Sequence, residues 1–314
     1  IFGGRNGSCG QIYSLICQQD RSFTDPTGSV WSEAEAERRT HLMREQIVQD
    51  HPRWNEKRVN EALVELIYTP PRRARMEAVF DFVKASIVRW IQHQPPSVFV
   101  AREKKQLTQR IQRVKLELPP PASIYGDEPQ LLSKTDVYYE RMTNGLIRLR
   151  VGGAYVLAAR SWFNLIFTFA HEMGHAIDPC ELRAMHLSIP AYDRLRGCFL
   201  RNGLIAARRT RAECARDDQL SETFADWVAV EITSQALAPF AQEFGGEEVL
   251  SAVANSVRDL CDQTDIGGGV PDLEYHPSPQ IRIEEIFGRH PSIRSLLGCA
   301  SFDALPEYCS WETK

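Results

Sequence analysis

Residues His171-Glu172-Met173-Gly174-His175 spell H-E-x-x-H. On a helix, positions i and i+4 share a face, with Cβ atoms roughly 5–6 Å apart. Two imidazoles at that spacing can hold one Zn²⁺, and the intervening Glu can act as general base toward a metal-activated water. The run before the motif, Ser161 to Ala170, is strongly apolar. It predicts a buried helix that carries the motif into an interior, ending near Asp178-Pro179 because a residue before proline is pushed out of the helical region. A carboxylate in such surroundings is costly unless a metal or a donor pairs with it.

Catalytic zinc keeps three protein ligands and one open position. A metzincin would place a third His six residues after His175, where this chain has Glu181. A thermolysin-type ligand would lie about twenty residues on, and nothing there fits its pattern. The best candidate is Glu222, in the segment Leu220 to Trp227, where Glu222 and Asp226 are again i and i+4. Glu222 can ligate zinc. Asp226 can accept a hydrogen bond from a ligand imidazole and fix its tautomer, and Asp178, three residues past His175, can do the same for the second His. A solvated acidic helix face is the plainer reading; the apolar neighbours and the upstream H-E-x-x-H argue against it. Near the end, His276 and Arg282 offer an oxyanion donor and a fork for a substrate carbonyl or carboxylate.

Together these clusters resemble the neprilysin-like metallopeptidases, a family of gluzincins. The family's H-E-x-x-H, small, apolar, Asp pattern matches His171 to Asp178, and its E-x-x-A/G-D matches Glu222 to Asp226. The separation of its late His and Arg is kept by His276 and Arg282. Its substrate strand is similar to Asp136-Val137-Tyr138-Tyr139 followed by Asn144-Gly145-Leu146-Ile147, with Asp136 in place of an Asn. The resemblance implies that Asp136, Val137 and Tyr138 line an extended peptide by backbone pairing.

The chain has eight cysteines, at positions 9, 17, 180, 198, 214, 261, 299 and 309. An even count at scattered spacing, without C-x-x-C, predicts disulfides and an oxidising compartment. Cys9 to Cys17 resembles the run that opens the family's ectodomain. By that resemblance Cys9 pairs with Cys299, Cys17 with Cys261, and Cys309 with one of Cys180, Cys198 or Cys214. The family's terminal C-x-x-W appears as Cys309-Ser310-Trp311, one residue short. Ile1-Phe2-Gly3-Gly4-Arg5 lacks the layout of a signal peptide, so a secreted, periplasmic or extracellular-facing address implies a leader or anchor ahead of residue 1.

At 314 residues with 43% hydrophobic content, the chain can bury a substantial core. A net charge of −4 and only short basic runs, such as Arg72 to Arg75 and Arg208 to Arg211, exclude nucleic acid as the expected partner. No apolar run reaches the length of a membrane span. His41, His51, His93, His186 and His290 stand outside any metal-spaced cluster, and Trp54, Trp90, Trp162 and Trp227 read as packing residues.

The fold expected is mainly α with a small β-sheet, an α+β gluzincin catalytic domain stapled by disulfides. Helices are predicted over about 33–49, 56–68, 73–93 and 103–117, the first opened by a capping box at Ser32 to Glu35, with strands over 134–141 and 145–157. Residues 1–102 form a disulfide-tethered segment with a helical lobe much shorter than the family's, which implies a more open cleft; residues 103–314 form the catalytic domain.

The function expected is zinc-dependent hydrolysis of peptide bonds in a peptide or protein substrate, with one Zn²⁺ per chain. His171, His175 and Glu222 bind the metal, Glu172 is the general base, His276 stabilises the oxyanion, Asp178 and Asp226 orient the ligand histidines, and Arg282 grips substrate. The competing reading is a secreted, cysteine-stapled binding protein on the same scaffold with little or no peptidase activity.

Overall fold

The structure, a computed structural model, describes residues 12–17, 33–119, 129–142, 145–158, 160–184, 189–205, 219–262, 276–299 and 308–311. Cys9, Ser32, Asn144, His186, Cys214 and the basic run at 208–211 lie outside them. The fold is mainly helical with one small sheet, as expected. In chain order the elements are α1 (Ile12–Cys17), α2 (Glu33–Asp50), α3 (Glu56–Ile67), α4 (Pro70–His93), α5 (Ala101–Arg113), β1 (Val114–Glu117), β2 (Val137–Arg141) and β3 (Ile147–Val151). There follow α6 (Gly153–Leu157), α7 (Trp162–Gly174), α8 (Pro179–Ala184), α9 (Pro190–Arg201), α10 (Gln219–Glu243), α11 (Gly246–Ser256), α12 (Asp259–Asp262), a π-helix (Ile281–Phe287) and α13 (Pro291–Leu296).

Packing divides the chain into two compact units. One comprises Thr24–Phe82 and Arg113–Ser161; the other comprises Ile1–Phe23, Val83–Gln112 and Trp162–Lys314. The boundary read at 102/103 divides the chain by expected role and does not coincide with this division by packing.

The first unit holds the sheet, in the order β1-β3-β2. β1 runs parallel to β3, and β2 antiparallel to it, with Tyr138 opposite Arg150 and Tyr139 opposite Leu149. Among the described residues β2 is therefore an edge strand. Two sequence boundaries need correction. The helix predicted to 117 stops at Arg113, because Val114 and Leu116 alternate into the sheet rather than following the helical period. The strand predicted over 145–157 stops at Val151 and turns into α6. Gly152 and Gly153 permit the turn: a Cβ on either would collide with the carbonyl of Lys134 or of Leu132. The Tyr68 hydroxyl donates to the Val151 carbonyl (2.6 Å), fixing the end of β3 against the end of α3.

The second unit is built around α7 and α10. Both are apolar on nearly every side, as suits interior helices: Phe163 to Gly174 is buried almost throughout, as is Thr223 to Val230. An aromatic cluster of Trp90, Phe99, Tyr192, Phe224, Trp227 and Trp311 packs edge to face beside α10. Disulfides Cys17–Cys261 and Cys198–Cys309 staple this unit. The first is the expected pair, and the second selects Cys198 from three candidates for Cys309. Cys180 and Cys299 are also disulfide-bonded. No described helix is long and apolar enough to cross a membrane. The disulfides are compatible with an oxidising compartment.

Candidate metal centre

α7 delivers His171 and Glu172, and a 3-10 turn at His175–Ile177 delivers His175. The tightened turn ends at Asp178, whose ψ of 158° is extended, as expected of a residue before proline. α10 delivers Glu222 and Asp226 from its first two turns. The two helices meet where Gly174 faces Ala225: a Cβ on Gly174 would lie 3.0 Å from the Ala225 Cα. Small residues on both sides are what bring the ligand-bearing turns together.

Three imidazoles converge on one carboxylate oxygen. Glu222 Oε2 lies 2.9 Å from His276 Nε2, 3.2 Å from His171 Nε2 and 3.6 Å from His175 Nε2. Ligand atoms of His171, Glu222 and His276 all fall within 4.8 Å of one another, a group that could hold a metal ion. His276, expected as an oxyanion donor, thus joins the cluster itself. It is also the accessible member, with a side chain 43% exposed against 8% for His171. Its ring lies near parallel to that of His171, 6.3 Å away, while His175 stands edge-on to His171 at 5.0 Å.

Each buried imidazole is anchored from behind. Asp226 Oδ1 accepts a hydrogen bond from His171 Nδ1 at 2.8 Å. Arg282 then donates to both oxygens of Asp226, through Nε (2.7 Å) and Nη2 (2.8 Å). Arg282 is buried in the π-helix, where Asp226 is its bidentate partner. Asp178 does not bond His175 directly: the gap is 3.7 Å, and Ser221 stands between them. The sequence alone gives Ser221 no role. A residue immediately before the ligand Glu has no i+4 relation to either cluster, so spacing gave no signal for it.

With Nδ1 protonated, a neutral imidazole presents only a lone pair at Nε2. Lone pairs directed at a carboxylate repel it unless positive charge lies among them. Glu222 Oε2 is indeed buried without a hydrogen-bond partner of good geometry. Protons or a metal ion can supply that charge, and the donor set of imidazoles plus one carboxylate suits a transition-metal dication. The residues therefore fit a metal. Burial pushes His171 down, but the Asp226 hydrogen bond and the Glu222 carboxylate outweigh it and raise its pKa to about 9. His175 is raised well above its usual value against the same burial penalty, through Asp178 and Glu222. Burial raises Glu222 and Asp226, yet the histidines around Glu222, and Arg282 and His171 beside Asp226, hold both carboxyls far below their ordinary range.

Other expected residues fall elsewhere. Glu181, at the metzincin position, pairs with Arg110, which also caps the Ala176 carbonyl. Asp136, Val137 and Tyr138 belong to the other unit, at the start of edge strand β2, where the Tyr138 hydroxyl donates to Asp136 (3.3 Å). His51 stacks on Trp54, and buried His290 caps α13, accepting from Ser292 N; neither joins the metal cluster. Trp90 and Trp227 are core residues, while Trp162 is 37% exposed. No family model, no curated protein and no solved structure matches this chain.

Proposed function

We propose that the protein is a zinc-dependent peptidase of the neprilysin-like type with a reduced helical lobe, acting on peptides in an oxidising compartment. The observation that carries this reading is the convergence of His171, His175 and His276 on the buried Glu222 Oε2, with Glu172 on the same helical turn as His171. His171, His175 and Glu222 would hold the ion. A zinc ion there would lower the pKa of a water molecule and polarise a carbonyl oxygen. Glu172 accepts the proton of the attacking water and returns it to the leaving amine nitrogen. His276, the exposed imidazole, donates to the developing oxyanion. Asp226 holds the His171 ring in register, with Arg282 behind it. By the resemblance, Asp136, Val137 and Tyr138 would pair by backbone with an extended peptide.

Zinc content by mass spectrometry, alongside cleavage of a mixed peptide library, tests the proposal. Wild type and Glu172→Gln should each carry one zinc per chain, and the variant should lose cleavage by about 10²–10⁴-fold. Wild-type activity in Glu172→Gln would remove the general base; stoichiometric zinc with no cleavage by either protein would favour a binding protein on this scaffold.

A further inference from the structure

We propose that Ser221 is a positioning residue that sets the tautomer of His175 and thereby the metal affinity of the centre. The inference rests on the metal-centre reading above and deepens it. Ser221 Oγ lies 2.8 Å from Asp178 Oδ2 and 3.1 Å from His175 Nδ1. A serine hydroxyl carries one proton, and an ionised carboxylate has none to give. The Ser221 proton therefore goes to Asp178, which leaves Oγ able only to accept from His175. When neutral, as a metal ligand must be, His175 therefore carries its one proton on Nδ1 and turns the Nε2 lone pair toward the cluster, 3.6 Å from Glu222 Oε2.

Asp178 is itself fixed. Its Oδ1 accepts from the backbone N–H groups of Cys180 and Glu181, both at 2.7 Å, as the N-terminal cap of α8. The carboxylate is buried, and its other oxygen is the one that receives the serine proton. A chain of fixed polarity thus runs from the start of α8 through Asp178 and Ser221 to His175. It crosses from α8 to α10, so it also ties the turn carrying His175 to the helix carrying Glu222. Asp178 alone cannot do this at 3.7 Å from the ring.

The test compares zinc affinity by chelator competition in wild type, Ser221→Ala and Ser221→Thr, with thermal melting of the chelated proteins as a control. Ser221→Ala should bind zinc about 10–100-fold more weakly while melting close to wild type. Ser221→Thr keeps the hydroxyl and should restore most of the affinity. Equal affinity in Ser221→Ala, or no rescue by threonine, overturns the proposal. Nitrogen-15 NMR of the wild-type zinc protein gives a reading that needs no variant: His175 should be protonated at Nδ1, and a bare Nδ1 overturns the assignment. If wild type itself takes up no zinc, the metal-centre reading fails first and Ser221 falls with it, an outcome distinct from selective failure of the serine variants.

Discussion

Gly174 lies against Ala225 with no room for a larger side chain: a Cβ placed on Gly174 would come within 3.0 Å of the Ala225 Cα and 3.4 Å of its Cβ. This contact sets the separation of the H-E-x-x-H turn from the Glu222 turn. Gly174→Val or Ala225→Leu should force the helices apart, destabilising the fold by about 1–3 kcal/mol. The metal ligands would separate with them, so zinc retention after gel filtration should fall further than thermal stability does. Full zinc retention in both variants would show that the crossing does not position the ligands.

Asp226 bridges His171 and Arg282 while almost completely buried. Removing one member of a buried pair leaves an uncompensated charge, so Asp226→Ala should cost about 3–5 kcal/mol in urea unfolding of the chelated protein. Replacing both partners with apolar residues, Asp226→Leu with Arg282→Met, should recover much of that stability. It should not recover metal affinity, because His171 would still lack the acceptor that orients it. Recovery of both properties together would mean that Asp226 acts only through packing.

Proton competition should make metal binding depend on pH. In the chelated protein, His171 is raised from 6.5 to about 9 by Asp226 and Glu222 against its burial. Its protonated form therefore favours the metal-free fold fully below 6.5, and that contribution is lost as pH rises through about 9. Metal must displace the same proton, so apparent affinity should climb with pH across this window and level off above it. Proton release, measured by calorimetry in buffers of different ionisation enthalpy, should be at least one per metal at pH 7.5, and His175, also raised, should add to it. An affinity flat from pH 6.5 to 9 would contradict the assignment of His171.

The site was legible where chemistry follows helical spacing. His171 with His175, and Glu222 with Asp226, are i and i+4 pairs, and apolar flanks marked both helices as interior. The Cys17–Cys261 bridge came from resemblance rather than from any local pattern. What spacing could not give was contact between residues distant in sequence and set by packing. Ser221 reaches Asp178 only because α7 and α10 touch, and Arg282 reaches Asp226 only because a π-helix turns it inward. The same limit explains the early end of β3: Gly152 and Gly153 stand where the carbonyls of Lys134 and Leu132 leave no space for a Cβ, and that approach comes from chain distant in sequence. The Cys309 partner was open for the same reason.

The Cys198–Cys309 bridge spans 111 residues of sequence and anchors the described C-terminal segment beside α10. The Cys309 carbonyl accepts the Trp227 indole proton at 2.7 Å, and Trp311 packs edge-on against Trp227 at 4.8 Å. Trp227 directly follows Asp226, so this segment braces the turn that orients His171. Replacing both cysteines with alanine should lower stability by about 2–5 kcal/mol, chiefly by freeing the unfolded chain. Release of the segment would also expose Trp227 and Trp311, giving a red shift in tryptophan fluorescence well below the unfolding midpoint. Zinc affinity at low temperature should fall less than in Asp226→Ala, because the ligands and their anchors remain. An unchanged unfolding midpoint, with unchanged fluorescence, would mean that the aromatic cluster alone holds the segment in place.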